Sequence, residues 1–125
     1  CYYAQDISSS AGSILCDGDH GCYMAQSIKA GSSISCNGDY GCYRVDAIES
    51  QTGNIQCNGN YGCCYSKSIK SFSGSIHCNG AYGCYRIEEI IQSDQSIYCG
   101  GNYGCGYSGI YGIQSLSGSI YCDGT

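Results

Sequence analysis

Apolar residues recur along this chain at a fixed beat. Isoleucine stands two residues before a cysteine at Ile14, Ile34, Ile55, Ile76, Ile97 and Ile120. It appears again six residues after a second cysteine at Ile7, Ile28, Ile48, Ile69 and Ile90. The triplet Ile-x-Cys is a strand alternation, because successive side chains of an extended chain point to opposite faces and the two outer ones share a face. β-Branched isoleucine favours such a strand. Glycine, serine and asparagine fill the segments between these triplets, which predicts turns. The pattern predicts short strands separated by tight corners, with no run long enough or regular enough for a helix.

The beat is a tandem repeat. Five stretches share the form C-x-G-x-x-G-C: Cys16–Cys22, Cys36–Cys42, Cys57–Cys63, Cys78–Cys84 and, with glycine also in second place, Cys99–Cys105. Their first cysteines are 20, 21, 21 and 21 residues apart, and a sixth start at Cys122 follows after 23. Cys1 matches the second cysteine of such a corner. One unit cannot bury its apolar face alone, so units must stack, isoleucine on isoleucine and cysteine over cysteine. The expected fold is all-β: one domain over residues 1–125, a disulfide-stapled parallel β-solenoid of about six coils, with Ile14, Ile34, Ile55, Ile76, Ile97 and Ile120 as a core ladder. A right-handed coil is preferred, since left-handed hexapeptide helices use units divisible by six. Asn-Gly at 37–38, 58–59 and 79–80 is expected to supply the positive φ that turns a corner. Gly106, Gly109 and Gly112 crowd the last unit, which predicts a bulged loop there with Ile113 as the core residue.

Composition narrows the class. Leucine occurs twice and valine once in 125 residues, against fifteen isoleucines, which argues against a helical bundle. No apolar run is long enough to cross a membrane as a helix, so membrane insertion is not expected. Five Lys+Arg against ten Asp+Glu give a net charge of -5. Nothing supplies a basic stripe for phosphates, so a nucleic-acid partner is not expected.

Thirteen cysteines point to an oxidising compartment and an extracellular or cell-surface location. No C-x2-C pair is present, so no metal is expected at them. Two pairings account for the count. In one, each corner closes on itself: Cys16–Cys22, Cys36–Cys42, Cys57–Cys63, Cys78–Cys84 and Cys99–Cys105. In the other, each second cysteine bonds forward to the next coil. The first is favoured because it closes a short loop around a glycine-rich turn, but spacing alone leaves connectivity open. Under it Cys1, Cys122 and Cys64 remain, and these are the candidates for bonds between subunits. The chain opens on Cys1 without Met or a hydrophobic leader, which reads as a mature product or a window of a longer array.

Tyr40, Tyr61, Tyr82 and Tyr103 hold one repeat position, with His20 in the first unit. Stacked coils make them a surface aromatic ladder, suited to packing over the corner, to a lateral contact or to sugar stacking. Tyr23, Tyr43 and Tyr85 form a second row, interrupted by Cys64. Asn37, Asn58 and Asn79 read as an internal amide ladder or a row of Asx turns. The serine-rich stretches at 8–10, 32–33 and 71–73 read as outward turns, with O-linked glycans as a sharper alternative. Asp17 and Asp19 are too few for a calcium site. His20 and His77 form no catalytic pair, and position 77 is outward. No catalytic residue and no cofactor is expected.

With these residues in view, the chain resembles the cysteine-rich β-solenoids of extracellular fibres and of protist and algal surface coats. The likeness is architectural, and only the C-x-G-x-Y-G-C unit is specific. It is also similar to insect antifreeze solenoids, but those bind ice through threonine rows, and Thr52 and Thr125 share no row. Polysaccharide lyases built as β-helices have similar coils, but here Arg44, Arg86, Asp46, Glu49, Glu88 and Glu89 are scattered. A solenoid without a capping repeat exposes strand edges that template another chain. The expected function is therefore a structural protomer of an extracellular filament, with its own copies as partners head to tail, including a Cys122–Cys1 bridge. Glycan binding on the tyrosine ladder is the alternative, and ice binding a more distant one.

Overall fold

A computed structural model describes residues 1–106 and 112–123. The chain is a β-solenoid of about five turns without a helix among the described residues. Each coil contributes a four-residue and a two-residue strand. The longer strands are β1 (Asp6–Ser9), β3 (Ser27–Ala30), β5 (Ala47–Ser50), β7 (Ser68–Ser71), β9 (Ile90–Ser93) and β11 (Gly112–Ser115). The shorter are β2 (Ile14–Leu15), β4 (Ile34–Ser35), β6 (Ile55–Gln56), β8 (Ile76–His77), β10 (Ile97–Tyr98) and β12 (Ile120–Tyr121). They form two six-stranded sheets, β1-β3-β5-β7-β9-β11 and β2-β4-β6-β8-β10-β12, and every pair is parallel.

The register places like on like. Ile14, Ile34, Ile55, Ile76, Ile97 and Ile120 are successive partners in the shorter sheet. In the longer sheet the column is Ile7, Ile28, Ile48, Ile69, Ile91 and Ile113. The expected Ile90 is not in it. Ile90 pairs with Ser68, and Ile91 takes the inward slot, because the coil from Cys78 carries one extra residue between Ile87 and the strand. A third inward row, Ala25, Val45, Ser66 and Ile87, lies three residues after the second cysteines Cys22, Cys42, Cys63 and Cys84 and is buried in these four coils.

The turn between the two strands of a coil is held from inside by serine. Ser50, Ser71 and Ser93 are buried. Gly53 and Gly74 N–H groups donate to the hydroxyls of Ser50 and Ser71 at 3.2 and 3.0 Å. The hydroxyls of Ser71 and Ser93 donate to carbonyls of Gly53 and Gly74 in the preceding coil at 2.9 and 2.6 Å. Ser71 therefore points inward, contrary to the outward turn expected for 71–73. The column makes buried polar groups self-satisfying, and no described buried side chain lacks a partner.

The corner is built differently from expectation. The Asn-Gly glycines do not have positive φ; that conformation falls on Tyr3, Met24, Arg44, Tyr65 and Arg86, at φ 54–58°. Glycine is required at 38, 59, 80 and 101 for another reason. A Cβ at these positions would stand 2.1, 1.9, 1.9 and 1.8 Å from the carbonyl oxygen of the equivalent glycine one coil earlier. The backbones approach so closely that only glycine fits. The neighbouring row Asn37, Asn58 and Asn79 is exposed rather than internal. The bulge expected through Gly109 lies outside the described residues; after them Gly112 has φ +72° and Ile113 pairs with Ile91.

Gly59→Ala should therefore lower stability by about 3 kcal/mol, because backbone must shift to admit the methyl group. Thermal unfolding measures this, and an unchanged midpoint would mean the coils stand farther apart than described.

Candidate functional site

All five corner cysteine pairs are bridged within their own coil, each over a separation of six residues. The short-loop pairing is the one the fold uses. Five disulfides suit an oxidising environment. The sulfurs of Cys16, Cys36 and Cys42 lie within 4.8 Å of one another, as do those of Cys57, Cys78 and Cys84. All six are committed to bridges, whereas a metal takes a thiolate.

The three remaining cysteines differ. Cys1 and Cys122 are exposed and Cys64 is buried. Cys64 occupies the slot held by Tyr43 and Tyr85 in neighbouring coils, and its side chain is covered, so it is no candidate for a bond between subunits. Burial pushes its thiol up to about 12, which keeps it protonated and unreactive.

The tyrosines of the corner form a continuous ridge. His20 stacks on Tyr40 at 5.0 Å, Tyr40 on Tyr61 and Tyr61 on Tyr82 at 4.9 Å with planes 3° apart, and Tyr82 on Tyr103 at 5.1 Å. The spacing is the inter-strand repeat of a sheet. Beside it, Tyr2, Tyr23 and Tyr43 stack at 4.9 and 5.4 Å. The two columns meet edge to face, as at Tyr40–Tyr43 (81°) and Tyr82–Tyr85 (80°), a geometry that ring quadrupoles favour. Where Cys64 interrupts the second column, Tyr65 turns to bridge it, 64° from Tyr43 and 85° from Tyr85. The Arg86 guanidinium lies over the Tyr65 ring at 5.6 Å. Burial also raises the Tyr43 phenol, with a smaller push from Cys64.

A third stack runs on the outer face of the shorter sheet. His77, Tyr98 and Tyr121 lie 4.7 and 4.9 Å apart with planes 7° apart. Position 77 is outward, as its place in Ile-x-Cys requires, and partial burial lowers the imidazole. The sequence shows this row once Tyr98 and Tyr121 are read as stacked, by the same rule that reveals Tyr40 to Tyr103.

Stacking has a chemical consequence. A sugar packs on the face of an aromatic ring, but within the ladder each face is covered by the next ring. What the ridge offers along its length is ring edges and hydroxyls. The ladder's last described ring, Tyr103, is 49% exposed.

The coil ends are the other candidate surface. At the C-terminal end Ile120 is 43% exposed, although its ladder partners Ile34, Ile55, Ile76 and Ile97 are wholly buried. Cys122 lines a hollow there with Cys99, Gly101, Tyr103, Cys105 and Ile113, where the interior coils seat their next corner. At the other end the amino group of Cys1 donates to Gly21 O at 2.7 Å, just as Cys22 N–H donates to Gly41 O. Cys1 thus occupies the register of a second corner cysteine and Cys122 that of a first. No protein-family model, curated protein or solved structure matches the chain.

The Cys64 thiol makes stability pH-dependent. The unfolded chain releases this proton from about pH 9, whereas the folded chain holds it until about 12. Between those values stability falls as pH rises, by up to about 1.4 kcal/mol per unit. Urea unfolding across this window should show the slope, and Cys64→Ala should make it shallower, leaving the part that the raised Tyr43 phenol contributes. A slope that the substitution leaves unchanged would belong to other groups.

Proposed function

We propose that this chain is a structural rod of an extracellular filament, lengthened by coil stacking on like coil. The observation that supports this reading most is that the first and last described coils present the same rows as the interior ones. Ile7 and Ile14 stand at one end, Ile113 and Ile120 at the other, each beside a strand with one unpaired edge. Such edges recruit further strands. A contact joining one end to the opposite end of a second copy is heterologous and does not close, so it makes a fibre. Cys122 of one copy and Cys1 of the next would complete a corner of the kind seen five times inside the rod. The disulfides and the net charge of -5 suit a secreted, solvent-facing structural element rather than a nucleic-acid binder.

Glycan binding along the tyrosine ladder is the weaker reading, because the stacked rings cover one another's faces. Ice binding has no threonine row to support it.

Gly18 gives the test. A Cβ there has nothing within 4 Å, whereas its equivalents at 38, 59, 80 and 101 would strike a carbonyl one coil earlier. Gly18→Ala should leave the thermal midpoint of the isolated rod nearly unchanged and prevent another coil from docking in register before the first corner. Electron microscopy of purified wild-type chain should show fibres and of Gly18→Ala only short rods. Equal fibre growth by both, or none by the wild type, would reject end stacking. Non-reducing peptide mass spectrometry of the fibres should contain a Cys122–Cys1 peptide.

A further inference from the structure

The aromatic ridge has charged flanks of opposite sign. Around the second corner the chain runs Asp39, Tyr40, Gly41, Cys42, Tyr43, Arg44. Tyr40 and Tyr43 meet edge to face at 5.5 Å to form one rung of the ridge, and Asp39 and Arg44, just outside them in the chain, are exposed. Above and below, the Asp39 side carries Asp19, Asn60 and Ala81, and the Arg44 side carries Met24, Tyr65 and Arg86. Asp19 and Asp39 mark one side of the ridge and Arg44 and Arg86 the other, with uncharged residues at the remaining rungs; Asn60 Nδ2 donates to Asp39 Oδ1 at 3.0 Å.

We infer that this ridge is a self-association surface: two copies pair side by side, ridge to ridge, with their rods parallel and related by a two-fold axis along the rod. Three features argue for that partner. First, a molecule that engages several rungs must repeat at the ring spacing of 4.9 Å, and a second copy does so by construction. Second, the surface offers edges and hydroxyls of rigid, amphipathic rings, which suit a protein interface better than sugar stacking. Third, charge selects the orientation. A two-fold axis along the rod brings the acidic flank of one copy against the basic flank of the other at equal height, so that Asp39 faces Arg44 of the second copy, and by symmetry the pair occurs twice. An axis across the rod would set acid against acid and base against base. Like charges across an interface suppress the wrong arrangement. The contact is isologous and closed, so it makes a pair and does not by itself make a fibre. The inference does not rest on end stacking, since side-by-side pairs form whether or not the rods lengthen.

The test is a charge swap. Arg44 has φ 57°, a conformation aspartate tolerates better than most residues, so Arg44→Asp is compatible with the corner. Sedimentation equilibrium gives the dissociation constant of the pair for the wild type, Asp39→Arg, Arg44→Asp and the double swap, with circular dichroism confirming that each is folded. Each single swap should weaken pairing on the order of tenfold or more, and the double swap should restore most of it. Small-angle scattering of the wild type should show twice the mass with no increase in maximum length, which separates a side-by-side pair from an end-to-end one. If Asp39→Arg does not fold, Arg44→Asp and the milder Arg44→Asn carry the comparison, the first weakening pairing more than the second. Four equal dissociation constants, a pair twice as long, or a wild type that stays monomeric would each overturn the inference. So would saturable oligosaccharide binding that Tyr61→Ala abolishes in a chain that does not self-associate.

Discussion

The structure depends on how closely one coil can approach the next. At the corner a carbonyl of one coil occupies the place where a Cβ of the following coil would stand, 1.8–2.1 Å away. Glycine there lets the corner stack at the same spacing as the strands, so the coil does not splay on one side. With the spacing uniform, each position of the unit stands over its own equivalent, and the columns of isoleucine, serine and tyrosine follow. A side chain at one such glycine would misplace the whole corner above it, including the ring that stacks there.

The disulfides act across the coil rather than along it. Each joins cysteines six positions apart in one corner, and none joins one coil to another. A closed loop of that length restrains the unfolded chain and fixes the corner. Cohesion along the rod rests on the strand ladder, the isoleucine columns, the stacked rings and the polar side-chain contacts between coils, with no disulfide between coils among the described residues. An interface between coils is therefore of one chemical kind wherever it occurs, within a chain or between copies. That uniformity is why the edge strands carrying Ile14 and the exposed Ile120 support the proposed docking of a like coil.

Much of this could be read from residues alone. The Ile-x-Cys triplets named the shorter sheet's column correctly, because strand alternation and a cysteine anchor fix the phase two residues away; it is core from Ile14 to Ile97, whereas Ile120 is in register but exposed. The second column failed at Ile90, six residues from its anchor, since one extra residue in that stretch shifts the phase and adjacent isoleucines look alike. The corner failed for a different reason. Asn-Gly suggests positive φ by local preference, but the unusual backbone fell on Tyr3, Met24, Arg44, Tyr65 and Arg86, residues with no such preference. For Met24, Arg44, Tyr65 and Arg86 the path runs from a disulfide to an inward side chain one residue later, which is tertiary context. Ser71 was misread as outward because a hydroxyl column satisfies itself only when coils stack, and a single repeat gives no sign of that. For the aromatic ladder the positions were plain, but the covering of ring faces required the 4.9 Å stack.

That covering bears on how the rod can recognise anything. Ring faces carry the strongest aromatic contacts, and here neighbouring rungs of the same chain consume them. The stack stiffens the corner and leaves outward a row of edges and hydroxyls with little discrimination of its own, since every rung resembles the next and a partner could slide by whole coils. Register must then come from what breaks the repeat. Asp39 and Arg44 belong to the same rung, whereas the rung after it carries Asn60 and Tyr65 and the one after that Ala81 and Arg86. The departures from the consensus, which look like erosion of a regular pattern, supply the charge marks by which one rod can be aligned against another at a single height.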